Sequence, residues 1–482
     1  MKQNNKAWLL IIAAAAITQS CSKDFLNKTP QSDYTTASFY KTANDAETAL
    51  TGAYSGLHDQ YYIWDYQING DARADNAYAG GDNPDNFQID NFQLTASNGN
   101  VTRDWQGIYN RVLAANAVLD NIPKIEDPVW NGTDRKNQIL AEAKFLRAFH
   151  YFHLVTTWGE VPLVLSSTDQ DIFKSRSSVA DVYAQIEKDL LEAETVLPKT
   201  FDSDAQTRGR ATQGGAEALL AKVYAQEGKY QECLDYCDKV INNGNYTLLG
   251  DYAQLFDGAH ANNSESIFEI QYNDAGAGDW GIQLLTPPSL TGDDWIKFNT
   301  PSHDLLKAFD AANDVVRKGV SIIVEKANPP AQYVADPNNV PFIGKWRHPN
   351  GWNSPDNVMM IRLADIILLK AEALNQLGRT DEAIPLVDQI RQRVSLGKTT
   401  ATTQDEVKLA ILNERRLELA FEGERWNDLL RAGTDYTIQV MNSQKDGAGN
   451  NLNYNVTADK LLFPIPQQDR DLNKNLTQNP GY

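Results

Sequence analysis

The chain has 482 residues, and its 42% hydrophobic and 10% aromatic content is ample for a packed core, so wholesale disorder is excluded. Its net charge of −19 becomes −21 once a leader carrying Lys2 and Lys6 is removed, leaving 42 basic against 63 acidic side chains. A surface this acidic repels nucleic acid and anionic lipid headgroups, and no Lys/Arg run offsets it, so nucleic acid is not an expected partner.

Residues 1–20 read as an export signal. Lys2 and Lys6 form a basic start, and residues 7–17 are an uninterrupted apolar run of eleven. That run is too short for a bilayer span of about 20 residues but suits a signal peptide. Thr18-Gln19-Ser20-Cys21 follows and resembles a bacterial lipobox, with Cys21 as the lipidated residue. Thr18 stands where an aliphatic residue is usual, and the alternative is ordinary secretory cleavage near Ala16 or Ser20. The expected mature chain is anchored to a membrane by lipid and does not span it.

Helical periodicity marks residues 105–122, 138–158 and 179–197. An internal repeat follows. Ala221, Tyr224, Gly228, Tyr230, Cys233 and Cys237 align with Ala371, Leu374, Gly378, Thr380, Ala383 and Val387. Each copy reads as helix, turn at glycine, helix, with small residues where helices approach closely, which is the tetratricopeptide pattern. Two copies are too few for a free-standing stack, so the other helices must complete it. Cys233 and Cys237, four residues apart on a helix, lack disulfide geometry and read as buried small hydrophobes.

Between residues 251 and 356 the periodicity fades and Gly, Pro, Asn and Asp multiply, with short strand-like runs at 266–272 and 320–324. Residues 70–99 share this texture. The expected fold is therefore mostly α: a tetratricopeptide-type scaffold over 21–250 and 357–482, with an inserted loop-rich region 251–356 containing short β-strands. Loops held by a rigid scaffold are where function concentrates.

Near the C-terminus, residues 413–431 read NERRLELAFEGERWNDLLR. Within a helix predicted over 405–430, Glu414, Glu418 and Glu422 stack on one face, and Arg415, Arg416 and Arg425 are expected to neutralise them. A buried ion-pair lattice is the structural reading; a catalytic carboxylate cluster competes with it.

Motifs for other chemistries are missing. His150 and His153 are three apart and do not form a zinc-binding HExxH; there is no G-x-S-x-G and no P-loop string. His58, His260, His303 and His348 are scattered. Asp82, Asp85 and Asp90 are acidic enough for Ca²⁺ but lack EF-hand spacing. No catalytic residue, metal or cofactor is expected, although a glycosidase needs only two carboxylates and stays open as an alternative.

A carbohydrate site needs flat apolar faces for sugar rings and polar side chains for hydroxyls. The loops supply Trp64, Tyr66 and Tyr78 in one region and Trp280, Trp295 and Trp352 in the other. The expected ligand-binding set is Trp64, Asp75, Asn76, Tyr78, Asn273, Asp279, Trp280 and Trp295. Trp105, Trp158, Trp346 and Trp426 lie in or beside packed or motif-like segments and read as core.

Six ordered blocks resemble the SusD/RagB family. They are AEAKFLRAFHYFHLVTTWGEVPLV at 141–164, SIFEIQY at 266–272, IRLADIILLKAEALNQLG at 361–378, the acidic–basic string at 413–431, FPIP at 463–466 and QNPGY at 478–482. The resemblance implies one SusD-like domain over 21–482 and non-catalytic glycan capture at the outer surface. It also implies a SusC-like TonB-dependent transporter as partner. A peptide-binding repeat module is the remaining alternative.

Overall fold

The computed structural model describes residues 39–328 and 336–482; the leader and Cys21 lie outside them. After α1 (Ala43–Ser55), the helices that build the scaffold are α2 (Gly99–Asn121), α3 (Arg135–Trp158), α4 (Val179–Glu194) and α5 (Gln213–Glu227), then α6 (Tyr230–Asn242), α7 (Leu363–Gln376) and α8 (Thr380–Arg393), with shorter helices between some of them. With α9 (Gln404–Glu418) added, each of α2 to α9 packs on the next, so the chain forms one continuous mostly helical stack. The stack crosses the inserted region: α6 packs on α7 although about 120 residues of sequence separate them. This is the repeat scaffold expected from the two copies. Gly228 and Gly378 both turn the chain with positive φ, 73° and 75°, where a side chain would be strained. Cys233 and Ala383 are both fully buried, as are Cys237 and, within 1%, Val387. The two cysteines are free, with Sγ atoms 4.0 Å apart.

Among the described residues, three two-stranded antiparallel sheets decorate this scaffold. β1 (Ala77–Gly80) pairs with β3 (Phe298–Pro301), β2 (Ser266–Ile270) with β6 (Val358–Arg362), and β4 (Ile322–Glu325) with β5 (Val340–Ile343). The β1–β3 ladder matters most, because its register of Tyr78 opposite Thr300 ties the two loop-rich regions to each other. The strand expected at 320–324 begins later, since residues 315–321 close a short helix before β4.

The helix predicted over 405–430 is two helices. α9 ends at Glu418 and α10 (Arg425–Ala432) restarts, with Phe421 at φ 66° and Gly423 at φ 78° between them. Asp71 holds the break, accepting from Phe421 N at 3.2 Å and Gly423 N at 3.0 Å. Glu422 is thus off the helix, yet it still joins the lattice. Its partners are not those expected. Glu418 pairs with Arg362 (2.6 Å), Arg317 (3.0 Å) and Arg393. Glu414 pairs with Arg317 (2.7 Å) and Arg391 (3.2 Å), and Glu422 with Arg362 (2.7 Å) and Lys345 (2.5 Å). Arg415, Arg416 and Arg425 turn the other way, onto Asp428 and Asp365, Asp75 and Asp304, and Asp75 respectively. Side chains on a helix radiate, so neighbours in sequence meet partners on different neighbouring segments.

Candidate functional site

Burial divides the aromatics expected on loops, of which Trp64 and Tyr66 lie on the helical segment 61–72 instead. Trp64 is 4% exposed and stacks edge-on to Phe298 at 5.1 Å; Tyr78 is buried, donating from its hydroxyl to Lys445 O at 2.8 Å. Tyr66 is buried against Glu424 (2.8 Å). Trp280 is half-buried, its ring 5.8 Å from Trp64. Trp295 and Trp352, by contrast, are 57% and 52% exposed. The two lie together, centroids 6.4 Å apart and planes at 85°. Exposed indoles in contact with each other are unusual for a residue that is mostly buried in folded chains.

The polar residues of the expected set divide in the same way. Asp75 is 2% exposed and carries a bidentate bond from Arg425 (2.6 and 2.9 Å) with Arg416 beside it. Burial would raise its carboxyl, but Arg416 and Arg425 hold it down at about 2. Asn76 is buried between Arg416 and Asp71. These two side chains belong to the ion-pair interior, which corrects their assignment to a ligand surface. Trp64 and Tyr78 are likewise core. Asp279 is 1% exposed; its Oδ1 accepts from Gly281 N at 2.7 Å, and burial pushes its carboxyl up to about 7. Asn273 is exposed, but its Oδ1 caps its own loop at Ala275 N (2.9 Å).

The indole pair rests on braced loops. Asp279 and Ser354 exchange backbone hydrogen bonds (2.8 and 3.1 Å), and Gly278 N donates to Asn353 Oδ1 at 2.9 Å, so the Trp352 loop is fastened to the segment before Trp280. Gly278 permits this approach, because a Cβ there would sit 2.5 Å from the Asn353 backbone. The Trp295 turn is made by Asp293, whose Oδ1 accepts from Trp295 N at 3.0 Å. Burial would raise the Asp293 carboxyl, but Lys297, Gln283 and the Trp295 backbone outweigh it and hold it below the ordinary range. Asp293 is therefore an anchored anion, unsuited to donate a proton. Trp352 and the Asp293–Lys297 brace escaped the expected set. The Asp-x-Trp spacing at 293–295 is the one sequence signal for the turn.

Elsewhere, a groove of about 1020 Å³ is lined by Gln60, Arg103, Gln106, Asn110, Gln467 and Gln468, with no aromatic ring. His150 and His153 are buried, their Nδ1 atoms bonded to Tyr62 (2.6 Å) and Tyr61 (3.2 Å) hydroxyls. Burial holds both neutral, His153 down at about 3. Asp90 is buried against Tyr454 (2.6 Å) and Ala79 N (2.8 Å). Among the described residues no His/Cys/Asp/Glu group could hold a metal ion, and no helix is long and apolar enough to cross a membrane.

Two family models match the chain, one described as the SusD family over residues 312–482, the other as starch-binding associating with outer membrane over residues 24–225. The chain belongs to the SusD/RagB family. It is 27% identical to a SusD-like protein of Bacteroides ovatus, covering 92% of this chain and 86% of that one. It is 23% identical to the starch-binding protein SusD of Bacteroides thetaiotaomicron over 71% of this chain and 72% of the relative. Among solved structures, a laminarin binding SusD-like protein aligns with a TM-score of 0.77 at 28% identity, over 92% of this chain and all of the other.

Proposed function

We propose that the protein is a surface glycan-binding lipoprotein, anchored in the outer membrane through lipid on Cys21. It captures oligo- or polysaccharide on Trp295 and Trp352 and passes it to a SusC-like TonB-dependent transporter. The observation that carries this reading is the exposed indole pair on braced loops. Covering roughly 60 Å² of one indole face contributes about 1.5 kcal/mol, or about tenfold in affinity. Family membership supports it, as do the laminarin and starch named for two relatives. A non-enzymatic role is favoured because Asp293, beside the pair, is committed to Lys297.

The 85° angle between the rings bears on the ligand. A ribbon-like β-1,4 chain presents its sugar faces in parallel planes and can stack on one ring only. A chain that turns successive faces, such as a β-1,3- or α-1,4-glucan, can use both. Titration calorimetry with laminarihexaose, maltohexaose and cellohexaose tests this: the first two should bind more tightly, and Trp352→Ala should remove the difference. Equal binding of all three, with no new reducing ends on incubation, would leave glycan capture standing and reject the turned-chain preference. New reducing ends would instead identify a hydrolase.

A further inference from the structure

Lysine is almost never buried unless its ammonium is paired, yet Lys297, two residues from an indole 57% exposed, keeps a side chain only 2% exposed. Its Nζ donates to Gln283 O at 2.8 Å, Thr291 Oγ1 at 3.0 Å and Asp293 Oδ1 at 2.8 Å, which uses all three ammonium protons. Gln283 also donates from its side chain to Asp293 Oδ2. Lys297 O accepts from Gly81 N at 2.8 Å, fixing the same residue to the β1–β3 ladder. One buried ammonium thus joins the helix Gly281–Leu285, the end of the helix Pro288–Thr291 and the carboxylate that makes the Trp295 turn.

We propose that Lys297 is a positioning residue for ligand capture: it holds the Trp295 turn in its binding conformation before ligand arrives. This rests on the indole-pair reading above. With Lys297 removed, Asp293 loses its cation and the turn samples other conformations, so affinity falls by the fraction of molecules that remain competent. The stem's volume is kept in Lys297→Met, which separates loss of the ammonium from loss of packing.

The test uses the mature chain with laminarihexaose and maltohexaose as probes, by calorimetry, alongside acrylamide quenching of tryptophan fluorescence without ligand. Lys297→Met should bind the better probe about tenfold more weakly. Its tryptophan quenching should rise, and its melting temperature should stay near that of the parent. The ligand-free quenching is a readout that a packing role remote from Trp295 would not move. Wild-type affinity and quenching in folded Lys297→Met would overturn the proposal. If Lys297→Met does not fold, Asp293→Asn, which keeps the acceptor for Trp295 N and drops the charge, must show the same weakening; unchanged binding overturns the proposal. Trp295→Ala separates the two readings. Normal binding by Trp295→Ala rejects the indole platform itself, whereas its failure beside normal binding by Lys297→Met rejects only the positioning role.

Discussion

Arg362 donates to Glu418 across 2.6 Å with both side chains essentially excluded from solvent, joining the last residue of β6 to the last residue of α9. The same guanidinium reaches Glu265 (2.9 Å) and Glu422 (2.7 Å), so one arginine serves three carboxylates from two separate stretches of chain. Burial alone would push the Glu418 carboxyl up. Arg393, Arg362 and Arg317 overturn that and hold it well below the ordinary range.

Removing one member of this lattice leaves buried charge without a partner, which costs about 3–5 kcal/mol. Arg362→Met should therefore lower stability by about that amount, measured by urea denaturation at pH 7. A loss under about 1 kcal/mol would show that the remaining arginines re-pair with Glu422 and Glu418. The lattice also makes the fold acid-sensitive. Because the folded Glu418 pKa is depressed, its contribution is present above the unfolded carboxylate value near 4.3 and is lost as pH falls below it.

Asp279 should behave in the opposite sense. Its carboxyl titrates at about 7 in the folded chain against an ordinary 3.8. The folded state therefore binds more protons than the unfolded one across that window, and stability falls as pH rises through it. Asp279→Asn keeps the acceptor for Gly281 N and removes the charge. It should raise the melting temperature at pH 8 and flatten the decline between pH 4 and 7, read by thermal melts across that range.

Exposed and buried tryptophans should separate cleanly. Trp295→Ala and Trp352→Ala are expected to weaken glycan binding about tenfold or more while leaving the melting temperature nearly unchanged. Trp158, fully buried with its indole N–H on Pro464 O at 3.1 Å, and Trp426, packed on Phe92 at 5.6 Å, should each cost about 3–5 kcal/mol when cut to alanine. Calorimetry beside melts on these four variants checks the contrast. Loop variants that melt early yet still bind would move the site elsewhere.

Cys21→Ala should give a folded protein that no longer fractionates with outer membrane, since two acyl chains at about 0.8 kcal/mol per buried CH₂ give stable anchoring. Unchanged membrane fractionation of this variant would reject lipidation.

The repeat scaffold was legible because its signals are local. Small residues at 221, 233, 371 and 383 and glycines at 228 and 378 sit within single helix–turn–helix units, and their spacing is read along one stretch of chain. Trp105, Trp158 and Trp426 lie inside periodic or motif-like segments and are legible as core for the same reason. What the sequence could not decide was which way a loop side chain faces. Trp64 and Trp295 both read as loop residues; Trp64 instead lies on the helical turn Tyr61–Asp65 and packs under Phe298, while Trp295 stands open on the turn made by Asp293. Asp75 reads as a loop carboxylate, yet its partner Arg425 lies 350 residues away in sequence. The charge count of the C-terminal string was visible, but its pairing was not. A helix sends adjacent side chains in different directions, and long-range packing alone determines which charge each of them meets.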